Sequence, residues 1–175
     1  MLRMFTLPAP LRRAASLAAC ITLLACSPKF DWREVRGTSA PFAVLLPAKP
    51  ATHTRNVNLD GIEVPMTMTA ADVDGVTFAV GTAEMPDPAQ AQRALAAMKT
   101  ALVRNIGGTV RKETASVPGA IPATIDIEAA GAESRVLHGR FIAKDKRIYQ
   151  VIAIGKEASL PPEAVDTFLT SFKLD

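Results

Sequence analysis

Residues 87–108, DPAQAQRALAAMKTALVRNIGG, decide the fold, because the apolar period changes there from two to nearly four. Asp87 is a helix N-cap, Pro88 suits the first helical position, and Gln90 stands at the capping-box position. Ala91, Leu95, Met98, Leu102 and Ile106 recur at spacings of three and four, which makes one apolar stripe. Met98 lies in that stripe and reads as core, not as a cofactor ligand. Gly107 and Gly108 then form a C-terminal cap. A phosphate-binding loop would place its glycines before a helix, not after one.

On the N-terminal side the period is two. Phe42–Leu46 is a short apolar strand stopped by Pro47 and Pro50. Asp60-Gly61 is a hairpin turn signal. Before it, residues 52–59 are polar, as an edge strand can be. After it, Ile62, Val64, Met66, Met68 and Ala70 alternate with Glu63, Pro65, Thr67 and Thr69. Pro65 removes a ladder donor, so this strand is expected at an edge or a bulge. Asp74-Gly75 makes a second turn into residues 76–82.

On the C-terminal side, residues 109–116, 122–130, 134–144 and 147–155 are expected as strands. The links near Gly131 and Asp145 are short enough for antiparallel neighbours. Pro161-Pro162-Glu163 opens a second helix, with Val165, Phe168, Leu169 and Phe172 as its stripe. Strands, helix, strands and helix with hairpin-length turns define an α+β class. The expectation is a single domain over residues 41–175, with two helices packed on an antiparallel sheet of about six or seven strands.

Composition limits the function classes. The chain has 175 residues, 49% hydrophobic and 21% charged, which suits a folded chain. Only 5% of residues are aromatic, too few for a single-strand stacking platform. The formal charge of +3 resides in Arg3, Arg12 and Arg13. All 17 Asp and Glu lie beyond residue 25, matched in number there by Lys and Arg. The densest basic run, residues 144–147, contains Asp145 as its own counter-charge. Nucleic acid is therefore not an expected partner.

Those three arginines precede an apolar run from Ala14 to Ala25. Twelve residues of helix span about 18 Å, short of a hydrocarbon core of about 30 Å. The order of charge, short apolar run and small residue is that of a secretory signal. Its end, Leu23-Leu24-Ala25-Cys26, resembles the lipobox of bacterial lipoproteins, with Leu24 where a small residue is usual. The resemblance implies residues 1–25 as a signal peptide, cleavage between Ala25 and Cys26, and a diacylglyceryl thioether on Cys26. The acylated N-terminus would hold the protein on a membrane. Ser27, in place of Asp, implies the periplasmic face of the outer membrane over the inner membrane. An uncleaved single-span anchor is the alternative. Residues 26–40 then comprise the acylated Cys and a linker. Its apolar patch, Phe30-Asp31-Trp32, either pins the linker to the domain or sits at the membrane interface. Cys20 leaves with the signal and Cys26 carries lipid, so disulfides, thiol catalysis and cysteine metal sites are excluded.

A second resemblance covers about residues 40–174. The strand Phe42–Leu46 ending at Pro47, the mid-chain helix, the three late strands and the closing Phe168-Leu169-Thr170-Ser171-Phe172 are similar to the PsbP-like α/β fold. That family includes small lipoproteins and photosystem accessory subunits. The resemblance implies a binding or accessory module more than an enzyme, and fold alone assigns no function.

The chain has two His and no zincin, EF-hand, nucleophile-elbow, Walker or dinucleotide pattern, so no metal and no cofactor is expected. His53 lies in a polar strand, and Asp72 and Asp74 bracket a turn. Strand parity leaves one constellation. Leu137, Phe141 and Ala143 point one way, and Val136, His138, Arg140 and Ile142 the other. Pairing Ile127 with Leu137, and Phe141 with Tyr149, sets Asp126 opposite His138 and Arg140 opposite Gln150. Asp126, His138, Arg140 and Gln150 are thus candidate binding residues for an envelope protein or a small molecule. Read plainly, they are a solvent-facing ion pair worth at most about 1 kcal/mol. A hydrolase using Asp126 and His138 would need a serine within hydrogen-bond reach. Ser134, four residues along the strand from His138, is about 13 Å away. The expected function is a lipid-anchored envelope accessory or binding protein without catalysis, with a hydrolase and a structural spacer as the rivals.

Overall fold

A computed structural model describes residues 29–38 and 40–175. In chain order these form β1 (Arg33–Arg36), β2 (Phe42–Leu46), β3 (Ala51–Leu59), β4 (Ile62–Val73), β5 (Val76–Glu84) and α1 (Pro88–Asn105). Then come β6 (Thr109–Ala115), β7 (Ala123–Ala130), β8 (Arg135–Lys144), β9 (Arg147–Lys156), α2 (Pro162–Ser171) and β10 (Lys173–Leu174). The α+β class holds, with two helices and a seven-stranded antiparallel sheet in the order β3-β4-β5-β9-β8-β7-β6.

Two-residue turns set much of the register. Asp60 and Gly61 have φ of +54° and +83°, and Asp74 and Gly75 have +51° and +77°. Positive φ at both central residues is the turn geometry that matches strand twist, which is why Asp-Gly occurs in both places. The turns pair Leu59 with Ile62 and Val73 with Val76. Contrary to expectation, β4 is neither an edge strand nor bulged, since it lies between β3 and β5 in unbroken register. Pro65 is tolerated because it lies beyond the end of the β4–β5 ladder at Thr67↔Thr82, where its missing donor costs no sheet hydrogen bond. The polar β3 is one edge of the sheet, as its composition requires. At the other edge, β6 is exposed throughout and carries a bulge between Val110 and Lys112. Its charged run Arg111-Lys112-Glu113 disfavours further pairing.

Helix α1 has the ends its sequence specifies. Asp87 Oδ1 accepts the Gln90 N–H at 2.8 Å. The reciprocal half of the capping box does not form, since Gln90 Oε1 is buried without a partner. Gly107 has φ +59°. Its N–H donates to the Arg104 carbonyl, and the Gly108 N–H donates to that of Val103, at 2.9 and 3.0 Å. That pair of bonds is a Schellman motif.

The architecture departs from the expected single sheet in one respect. β1, β2 and β10 form a separate three-stranded sheet with β2 at its centre. The strand Phe42–Leu46 belongs to this small sheet, and the segment read as a linker supplies its neighbour, β1. Trp32 pins that segment, its ring 6.4 Å from that of Phe78 and 5.7 Å from that of Phe30.

The main sheet is consequently covered on both faces. α1 packs Ala91, Ala94, Leu95 and Met98 against Leu137, Phe141, Ile148 and Ile152. On the other face, α2 and β2 bury Phe42, Val44, Leu46 and Phe168 against Phe78, Val80, Tyr149 and Val151. Every side chain from Ile148 to Ala153 is buried.

Candidate functional site

α2 is only ten residues long, and beyond its edge part of β7 and β8 is left uncovered. A groove of about 340 Å³ opens there, lined by Lys112 and Thr114 of β6, Asp126 and Glu128 of β7, His138 and Arg140 of β8, and Asp166 and Leu169 of α2. Period two places these side chains: the even-numbered residues of β7 and β8 face α2, while Ile127, Leu137 and Phe141 face α1. A neighbouring groove of about 440 Å³ shares Glu128, His138 and Asp166 and continues toward Glu157 and Pro162.

The structure brings three of the four candidate residues together and removes the fourth. Asp126, His138 and Arg140 share the groove, but Asp126 is opposite Arg140 and Glu128 is opposite His138. The expected Asp126–His138 register is off by two residues. Apolar alternation specifies which face a residue occupies; a slip of two preserves every face and costs the pattern nothing. The loop between β7 and β8, closed by Gly131 N–H donating to the Arg135 carbonyl at 2.8 Å, sets the actual register.

Gln150 is a different error. The two-residue turn at Asp145 and Lys146 pairs Lys144 with Arg147, so Phe141 faces Gln150, and Arg140 faces Val151. The expected pairing of Phe141 with Tyr149 needed an odd-length loop. Since β9 is apolar on both faces, its alternation could not reveal the mistake. Gln150 is buried on the α1 side, with Nε2 donating to Met68 Sδ at 3.3 Å. Gly81 makes room for it, because a Cβ there would lie 2.7 Å from Gln150 Cγ.

Arg140 organises the groove. Its Nε and Nη2 donate to the two carboxylate oxygens of Asp126 at 2.8 and 3.1 Å, and Nη1 donates to the Leu169 carbonyl at 3.2 Å. The hydrogen bond to Asp126 raises the guanidinium pKa above its ordinary value, against a smaller lowering by burial. The charge is therefore permanent, and it links β7 and β8 to the last turn of α2. Arg at this position accommodates a forked acceptor geometry that Lys cannot match. Arg140→Met is expected to cost about 1–2 kcal/mol, reduced from a buried charged bond because the pair is partly solvated. His138→Ala is expected to cost about 1 kcal/mol or less. Urea unfolding of both variants checks this order, and a larger loss at His138 would overturn it.

Glu128 was visible in the sequence by its parity with Asp126. Asp166 was not, because its place in the groove depends on where α2 docks. Among the described residues, no three His, Cys, Asp or Glu side chains come together to hold a metal ion. Ala25 and Cys26, the cleavage and lipid-attachment positions, lie outside the described residues. The chain matches no protein-family model and no curated protein sequence.

Proposed function

We propose that this chain is a lipid-anchored cell-envelope protein, held on the periplasmic face of the outer membrane, whose PsbP-like domain is a non-catalytic accessory or binding module. The observation that carries the reading is Leu23-Leu24-Ala25-Cys26, at the end of an apolar run preceded by arginines and by no carboxylate. Among the described residues no helix is long and apolar enough to cross a membrane. Membrane attachment in this reading comes from the acyl chains, which contribute about 0.8 kcal/mol per buried CH₂.

The groove at Asp126, Glu128, His138 and Arg140 is the binding surface of this proposal, open to a small molecule or a partner's side chain. A hydrolase is the weaker reading on chemical grounds. Asp126 stands opposite Arg140, which binds both its oxygens, while Glu128 and not Asp126 stands opposite His138. Among the described residues lining the groove, Thr114 alone carries a hydroxyl, and Ser134 lies in the loop before β8. Nucleophilic catalysis needs the hydroxyl, the base and its orienting group within hydrogen-bond reach of one another.

Cys26→Ser tests the anchor. The wild type is expected to incorporate labelled palmitate and to fractionate with the outer membrane. Cys26→Ser is expected to do neither and to retain residues 1–25, whereas Cys20→Ser should match the wild type. Equal labelling of the wild type and Cys26→Ser would reject the proposal.

A further inference from the structure

The chain enters the described domain at one end of the sheet. Lys29 Nζ lies 3.3 Å from Asp74 Oδ2, and the Asp31 N–H donates to the Pro47 carbonyl at 2.9 Å. Phe30 and Trp32 both pack edge-on against Phe78. From Lys29 onward, therefore, the chain is fixed beside the Asp74-Gly75 turn.

The ladders show what shares that end. Thr77 pairs with Ile154, Arg135 with Lys156, and Ala130 with Val136. Lys156, Arg135 and the loop after β7 thus lie at the same end as Asp74. Glu84 pairs with Arg147, Ala123 with Ala143, and Ala115 with Ile125. The β8–β9 turn and the loop over residues 116–122 therefore lie at the opposite end. The nine residues of β5 separate the two ends by about 30 Å.

Only Ser27 and Pro28 stand between Cys26 and Lys29, so the two ends of that connection are at most about 11 Å apart. We propose that the domain stands on the bilayer by its Asp74-Gly75 end, with Arg135 and Lys156 toward the lipid headgroups. This inference rests on acylation of Cys26. Charge does not by itself orient the domain: at this end the exposed Lys29, Lys49, Arg104, Arg111, Arg135 and Lys156 exceed the exposed Asp72, Asp74, Glu133 and Glu157 by only two, and Lys29 and Arg111 are paired with Asp74 and Glu157. The short tether does. It also keeps the far end away from the anchoring membrane. That end carries an apolar tip, in which Val117 and Ile121 are each 75% exposed. Ala120 N–H donates to the Val117 carbonyl at 3.1 Å across Pro118 and Gly119, with φ +81° at Gly119, a type II turn.

The mature acylated protein has no free thiol, so single cysteines can be labelled directly. Lys156→Cys and Lys49→Cys report on the near end, and Lys146→Cys and Val117→Cys on the far end. Each carries a fluorophore, and the acylated protein is bound to phosphatidylethanolamine–phosphatidylglycerol vesicles containing a headgroup quencher. Fluorescence is expected to fall at Lys156 and Lys49 and to persist at Lys146 and Val117, with no change in the pattern on adding salt. A Gly/Ser insert of about 20 residues before Lys29 has a root-mean-square span of about 25 Å and should abolish the difference. Equal or reversed quenching in protein shown by mass to be acylated would overturn the orientation and leave the anchor standing. Mature protein without lipid mass would overturn both.

Discussion

Phe168→Ala is expected to cost about 3–5 kcal/mol, a large part of the roughly 5–15 kcal/mol that holds a domain together. Phe168 is fully buried, and its ring meets that of Phe78 edge-to-face at a centroid distance of 5.4 Å. The helix around it has little support of its own. Ten residues are too few for a helix that persists in water, and at Pro161 no side chain caps its start. Packing must therefore supply its stability, and Phe168 is the largest side chain α2 buries. The consequence reaches the groove, because α2 also contributes Asp166 and the Leu169 carbonyl that accepts from Arg140. Urea unfolding should show the full loss at Phe168→Ala and less than about 0.5 kcal/mol at the exposed Thr170→Ala. Similar losses at the two positions would show that α2 is not held by its inner face.

What was legible in the sequence was local. Asp87, Pro88 and the Gly107-Gly108 pair announce both ends of α1 because capping is satisfied within a few residues of chain. Asp60-Gly61 and Asp74-Gly75 announce hairpins because the turn needs positive φ at both residues. Pairings between distant segments were not legible. β1 and β10 have four and two residues, too few to establish a period, and β10 meets β2 from the other end of the chain. The site failed in the same way. Face assignment placed Asp126, His138 and Arg140 together, since alternation is strong in β7 and β8. Register decided which of them touch, and in β9, apolar on both faces, the pattern was silent. The error at Gln150 follows from that silence. The turn length at Asp145-Lys146 was the signal that could have corrected it, since a two-residue loop joins residues of opposite parity.

Leu95→Ala is expected to cost about 2–5 kcal/mol, toward the upper part of that range. α1 buries Ala91, Ala94, Leu95 and Met98, so two of the four are alanines and only Leu95 and Met98 fill much volume. Alanine neighbours cannot move side-chain atoms into the space that Leu95 vacates. Met98 can do so in part, because its unbranched chain adapts to irregular gaps. Leu102 is half-buried, so Leu102→Ala should cost less than Leu95→Ala, although the apolar stripe treats the two alike. Lys99 lies off the stripe and by pattern alone would be inert. In the fold its Nζ sits 2.9 Å from both oxygens of Glu113 and ties α1 to the edge strand β6. Lys99→Ala should therefore cost about 1 kcal/mol, within the range of well-placed ion pairs, while the exposed Gln92→Ala stays below about 0.5 kcal/mol. Added salt should reduce the Lys99 effect and leave the Leu95 effect unchanged, because screening acts on the ion pair and not on packing. An effect of salt on Leu95→Ala comparable to that on Lys99→Ala would contradict a packing origin. A Gln92→Ala loss equal to that of Leu95→Ala would mean that α1 turns a different face to the sheet.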